Sequence, residues 1–277
     1  MTIKPEISVI IPLYNKGMII ERTLRSVQSQ TFKHFELIIV NDGSTDNSVE
    51  VVQQIQDERM VLIHQKNAGP SAARNTGVRN AQTNWVVFLD GDDELLPDAL
   101  ETFWHLRQDY AGADIYNCRS YIRTGEKLTE TSNSVEGYVS NVLRDCYYSR
   151  CMPGAGFSMF HKGILKKFPY DEHIRRFEDA ELLIRMLPKA KVYSSQKIVQ
   201  IHDVNFAEAS GKRKDISEDY AGHLSMKGKG FWAKMCVYRT YLENRELYPD
   251  DMRRLYHSWY YRYDLLLLYK ILNKLGL

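Results

Sequence analysis

Three carboxylates crowd round one glycine at Asp90-Gly91-Asp92-Asp93, directly after the apolar run Trp85-Val86-Val87-Phe88-Leu89. That run is too short for an independent helix and reads as a strand buried on both faces, as in a parallel sheet. Open α/β sheets place their ligands at the carboxyl ends of such strands. The acids would therefore emerge at the mouth of a cleft, with Gly91 allowing a tight turn that brings them round one point. Clustered carboxylate oxygens suit a hard divalent cation. Mg2+ in particular takes one or two protein carboxylates and fills its other positions with water and phosphate oxygens, which points to a ligand carrying a diphosphate. An acidic turn before a helix has the same composition and is the alternative.

Other polar groups stand at comparable places. Tyr14 and Asn15 follow the run Ile7 to Leu13, and Asn41-Asp42-Gly43 follows Phe35 to Val40. With Asp90 to Asp93, three strand ends would finish in polar residues on one edge of a sheet, although Asp42 beside Gly43 also fits a simple Asx turn. Arg74 lies near the start of a helix, where it could be solvated or reach a phosphate. Glu178-Asp179 opens the helical pattern Glu178 to Leu187, so the pair fits either the positive end of the helix dipole or acid–base chemistry. His202 ends an extended stretch and could be a surface, core or ligand histidine.

The elements that must hold these groups alternate regularly. Ile7 to Leu13 reads as a strand, and Ile20, Leu24 and Val27 give a helix over 19–30. Phe35 to Val40 is the second strand, followed by a helix capped by Thr45 or Asp46 and carrying Val49, Val52 and Ile55. Val61 to Ile63 is a third strand, and Ser71 opens a helix that leads into the central strand at Trp85. Such alternation predicts right-handed crossovers and a mostly parallel sheet covered on both faces. Further on, Pro97 precedes a helix, Ala113 to Cys118 and Val192 to Val204 read as strands, and Thr124-Gly125-Glu126 reads as a turn.

The length of 277 residues suits one large core or one domain with an appendage. A net charge of +2 gives no sign of a nucleic-acid binder. Four cysteines lack paired C-x-x-C spacing, which argues against zinc and for reduced thiols in a cytoplasmic protein. The apolar stretch from Ile7 is interrupted by Pro12 and is too short for a signal peptide or a membrane span.

Four segments, in order, resemble the family 2 glycosyltransferases, whose fold is the nucleotide-sugar-binding GT-A fold. They are Ser8-Val9-Ile10-Ile11-Pro12-Leu13-Tyr14-Asn15, Val40-Asn41-Asp42-Gly43-Ser44-Thr45-Asp46, Asn67-Ala68-Gly69 through Ala73-Arg74-Asn75-Thr76-Gly77, and Leu89-Asp90-Gly91-Asp92-Asp93. The resemblance implies that Pro12, Tyr14 and Asn15 line a base pocket, that Asp42, with Gly43, contacts uracil or ribose, and that Arg74 lies near the phosphates. It makes Asp90-Gly91-Asp92 the D-x-D element, with Asp92 on Mn2+ or Mg2+ and Asp90 on ribose or a metal-bound water. Asp93 is the less defined member. It also makes Asp179 the general base, with Glu178 as the alternative, and brings His202 near the metal or the diphosphate.

The implied domain is 1–210, with a nucleotide-sugar half over 1–100 and an acceptor half over 101–210, followed by a linker and C-terminal helices over 211–277. The implied reaction is inverting transfer from a nucleoside diphosphate sugar, UDP-linked first of all, to a glycan or glycolipid hydroxyl in cell-surface polysaccharide synthesis. A nucleotidyltransferase and a silent nucleotide-sugar-binding subunit are the rivals. The Lys- and Gly-rich stretch 211–229 reads as a linker or a loop over the donor. The aromatic helices after it could pack on the core, join a second copy, or lie on the inner face of a membrane.

Overall fold

A computed structural model of the chain describes residues 4–131, 135–206, 215–260 and 263–275. The first hundred residues alternate as the sequence predicts. Strands β1 (Ile7–Leu13), β2 (Phe35–Asn41), β3 (Met60–His64) and β4 (Trp85–Phe88) are separated by helices α1 (Ile20–Gln28), α2 (Ser48–Gln54) and α3 (Pro70–Asn80). They lie side by side in the order β3-β2-β1-β4, all parallel. The ends of β1, β2 and β4 are therefore neighbours, and the polar residues that follow them share one edge.

The second half extends this sheet. After β5 (Glu94–Leu95) and α4 (Ala99–Asp109) come β6 (Ile115–Thr124), β7 (Lys127–Glu130), β8 (Gly137–Tyr138), α5 (Val142–Tyr147), β9 (Ser158–His161), α6 (Lys162–Lys167), α7 (Glu178–Met186) and β10 (Val192–Asp203). Strand β9 inserts antiparallel between β4 and β6, and β10 runs parallel to β6, giving the order β3-β2-β1-β4-β9-β6-β10-β5. Because β9 joins the two halves, α7 and the end of β10 are carried to the same edge as the end of β4.

Alternation along each strand feeds two cores. Ile10, Ile38, Val86 and Phe88 face one side, and Val9, Ile11, Leu37 and Val87 face the other, all buried. Helices α1, α2 and α4 cover the second face, while α3, α5 and α7 cover the first. Packing of α3 on β1 is close: a Cβ on Gly77 would meet Ile10 Cγ2 at 2.2 Å. Gly77→Ala is expected to destabilise the protein by about 1–3 kcal/mol, because Ile10 is fully enclosed and cannot yield. Urea unfolding at equilibrium reads this directly, and an unchanged midpoint would show that β1 and α3 can separate freely.

Several expectations are corrected. Helix α2 begins at Ser48 with Asn47 in the capping position. Asp46 instead accepts from the backbone N–H of Gly17 and of Ser48, tying the loop after β1 to the helix. Gly91 does not have the positive φ that would require glycine, and a Cβ there would meet neighbours only at ordinary contact distance. The stretch 215–229 is no plain linker, since short 3-10 turns bury Ile216, Tyr220, Ala221 and Leu224 in the core; residues 211–214 lie outside the described residues.

The C-terminal part forms α8 (Phe231–Asn244), α9 (Pro249–Leu255), α10 (His257–Tyr260) and α11 (Tyr263–Leu275) rather than two long helices. Ala233, Val237, Tyr238 and Tyr241 of α8 and Met252 of α9 belong to the same core as Ile10 and Phe88. Helix α11 keeps Leu267 and Ile271 exposed. Among the described residues no helix is long and apolar enough to cross a membrane. All four cysteines are free thiols.

Candidate active site

The loops after β1 and β2 are fastened to each other. Asn15 adopts a left-handed backbone, its Oδ1 accepts from the Thr45 N–H at 2.8 Å, and its own N–H donates to Ser44 Oγ at 3.2 Å. Tyr14 beside it is exposed, and Pro12 lies in β1 opposite Val40. Asp42 is buried, with its carboxylate accepting from Gln65 Nε2 at 2.7 Å and from the N–H groups of Ala68 at 2.9 Å and Gly69 at 2.8 Å. It thereby holds the turn that starts α3. Gly43 has a φ of 73°, and a Cβ there would crowd Asn67. Here glycine is required by both backbone and space.

After β4 the three aspartates diverge. Asp90 pairs with Arg74 Nη2 at 2.8 Å, Asp92 pairs with Lys16 Nζ at 2.8 Å, and Asp93 is buried. Asp93 accepts from Gln200 Nε2 at 2.6 Å, from the Asp203 N–H at 2.9 Å and from His202 Nδ1 at 3.1 Å. This carboxylate therefore joins the end of β4 to the end of β10. Its hydrogen bond to His202 pushes that imidazole up to about 9, while burial pushes Asp93 itself up to about 6.

Arg74 lies between the two halves of the site. Its side chain is 4 % exposed, and Nη1 donates to Glu178 Oε1 at 2.7 Å while Nη2 holds Asp90. Burial raises the Glu178 carboxyl, and the guanidinium pulls in the opposite direction. Asp179 has a different partner, the Tyr170 hydroxyl, which donates to Oδ1 at 2.8 Å. Tyr170 is positioned by Asn75 of α3, which bonds both its backbone N–H and its carbonyl. The two neighbouring acids are therefore unlike: Glu178 is neutralised by a buried cation, and Asp179 is oriented by a neutral hydroxyl.

A cavity of about 800 Å3 brings these groups together. Asp90, Asp93, His202, Glu178 and Asp179 all line it, with Asp90 and Glu178 drawn together by Arg74, and Met152, Pro153, Phe157, Phe177 and Leu183 supply an apolar wall. Asp42, Asp92, Arg74 and the residues after β1 are not part of that lining. Outside glycine, the left-handed residues among those described are Asn15, Ser149 and Phe177. Ser149 and Phe177 line this cavity and Asn15 flanks the strand edge. Each such conformation costs on the order of 1–2 kcal/mol, and strain of this kind gathers at functional sites.

Sequence reasoning missed Tyr170, Phe177, Lys16 and Gln200. Tyr170 and Gln200 carry no local pattern. Phe177 could have been noticed as the residue before the acidic pair, and Lys16 as the cation after Tyr14-Asn15.

An open α/β sheet whose strand-end acids share a cavity with the acidic pair at the start of α7 has the GT-A architecture of nucleotide-sugar transferases. The model for "Glycosyl transferase family 2" matches residues 8–168, and the chain belongs to that family. Among curated relatives, "GalNAc(5)-diNAcBac-PP-undecaprenol beta-1,3-glucosyltransferase" of Campylobacter jejuni is 30% identical over 80% of this chain and 73% of its own. "Glycosyltransferase GlyA" of Streptococcus pneumoniae is 38% identical over 54% of this chain, a match that spans only 20% of that longer protein. Among solved structures, S. aureus TarS 1-349 in complex with UDP shares the fold, with a TM-score of 0.62 and 21% identity over 72% of this chain and 60% of that one.

Proposed function

We propose that the protein is a metal-dependent, inverting glycosyltransferase that moves a sugar from a nucleoside diphosphate sugar to a hydroxyl of a glycan or glycolipid acceptor. The observation that carries this reading is that Asp90, Asp93, His202, Glu178 and Asp179 line one cavity. UDP is the first nucleotide to test, because a relative of the same fold binds it. A lipid-linked glycan is the first acceptor class, given the name of the C. jejuni relative. Work on such an acceptor fits a cytoplasmic enzyme at the inner membrane face in cell-surface polysaccharide synthesis. In this division of labour 1–100 serves the donor, 101–210 the acceptor, and 211–277 completes the fold.

Asp90, Asp92 and His202 are the residues that would hold Mn2+ or Mg2+. Among the described residues no three potential ligands form a ready-made cage, since Arg74 and Lys16 hold the two aspartates. The donor set still fits, because hard cations of this kind take one or two carboxylates and complete their shell with phosphate and water. A bound cation would neutralise the charge that grows on the departing diphosphate. Lys16 stands where it can exchange Asp92 for a phosphate oxygen. Asp179 accepts the proton of the acceptor hydroxyl as that oxygen attacks the anomeric carbon, and a single displacement inverts the centre. Tyr170 keeps the Asp179 carboxylate turned by its hydrogen bond, and the apolar wall excludes water from the sugar.

Calorimetric titration with UDP, GDP, CDP and UTP, each with and without Mn2+, tests the reading. UDP binding that needs Mn2+ supports it, a preference for UTP favours a nucleotidyltransferase, and no binding of any nucleotide sinks it. Asp92→Asn should weaken Mn2+-dependent UDP binding by at least about tenfold, through loss of one anionic ligand. If UDP affinity with Mn2+ stays at the wild-type value, Asp92 is not a ligand.

A further inference from the structure

We propose that Phe177 is the platform for the acceptor sugar, stacking its ring face against a pyranose ring beside Asp179; this rests on the glycosyl-transfer reading above. Three observations lead to it. Phe177 is 41% exposed, although it stands in the wall of a largely apolar cavity next to the acidic pair. An aromatic ring at that exposure gains little from burial. Its backbone is left-handed, with φ 55° and ψ 26°, a region that bulky side chains rarely adopt and that glycine and asparagine accept readily. Phenylalanine is thus a poor choice for the local fold, and its side chain gives the helix that follows no capping hydrogen bond.

The third observation is that the strained conformation is held from outside. Arg176 bridges to Asp219 through the backbone, its carbonyl accepts from the Tyr220 N–H at 3.1 Å, and its guanidinium lies 4.9 Å from the centre of the Phe177 ring. That cation lies over the ring, yet the residue is still 41% exposed and lines the cavity, where a ligand can reach it. A pyranose offers the matching chemistry, a face of C–H bonds for the ring and edge hydroxyls for Asp179 and Glu178. An isoprenoid chain would meet the same apolar wall but has no hydroxyl to offer the acids.

The test measures saturation-transfer NMR of methyl α- and β-pyranosides of glucose, galactose and their N-acetylated 2-amino forms, and of farnesyl phosphate, with UDP and diamagnetic Mg2+ present. Wild type should bind at least one pyranoside. Phe177→Asn should weaken that binding about tenfold, Phe177→Tyr should preserve it, and UDP affinity should stay constant in both. Phe177→Asn should also melt no lower than wild type, since asparagine tolerates the left-handed backbone. A lower melting temperature would show that the ring serves the fold instead. Pyranoside binding unchanged in Phe177→Asn, or undetectable in wild type, overturns the platform, as does loss of farnesyl phosphate binding alone. Loss of UDP binding in wild type with pyranosides still bound would sink the donor reading and leave the platform standing.

Discussion

Asp179→Asn is expected to reduce sugar transfer by on the order of a hundred- to ten-thousand-fold while leaving Mn2+-dependent UDP binding at its wild-type strength. The substitution removes the proposed proton acceptor but keeps its shape. Tyr170 can still donate to the amide oxygen, as it does to Asp179 Oδ1 at 2.8 Å, so the side chain stays where it is. Asp42, Asp90 and Asp92 are held by other partners, so their hydrogen bonds and ion pairs survive the change. A loss confined to turnover therefore reads as lost chemistry rather than lost architecture. Glu178→Gln makes the comparison informative. Glu178 is bound to Arg74 at 2.7 Å, so its Oε1 is already engaged, although burial raises its carboxyl on balance. If Glu178→Gln abolishes turnover and Asp179→Asn leaves it intact, the two acids exchange roles.

Much of the architecture was legible because it depends on periodicity. The runs Ile7 to Leu13 and Phe35 to Val40 are apolar on both faces, and only a parallel sheet covered on both sides accommodates that. The strand-end acids were legible for the same reason, since once the strands are parallel their ends must share an edge. What could not be read was the partner of each acid. Asp93 looked like the spare member of a cluster, yet it is the one that joins β4 to β10, through Gln200, His202 and Asp203. Those contacts depend on β9 inserting antiparallel between β4 and β6, and Ser158 to His161 has no pattern that states its direction. The aromatic C-terminal residues were legible as helices, and packing on the core was the favoured of their three placements, as α8 and α9 show, although the pattern itself did not compel it. The apolar stripe of α8 is the same whether it faces a membrane, a second copy or the sheet.

Arg74→Met is expected to destabilise the protein by about 3 kcal/mol, among the largest effects of any single substitution here. The guanidinium is almost wholly enclosed and holds two carboxylates, Asp90 from 16 residues away and Glu178 from 104. The two are not equally exposed to water. The Asp90 side chain is 35% exposed and can be solvated when Arg74 is removed, whereas Glu178 is 13% exposed and would be left as a nearly buried, uncompensated charge. Most of the cost should therefore arise at Glu178. It follows that Arg74→Met combined with Glu178→Gln should recover the larger part of the loss, while Arg74→Met combined with Asp90→Asn should recover little. Urea unfolding of six proteins, namely wild type, the three single variants and the two double variants, forms the required cycles. Equal recovery by both second substitutions would mean that Arg74 stabilises by packing, through its contact with the Tyr170 ring at 5.3 Å, rather than by charge. Recovery through Glu178 alone would identify Arg74 as the residue that ties the start of α7 to the end of β4, because the ion pair that prevents a buried charge also fixes Glu178 beside Asp90.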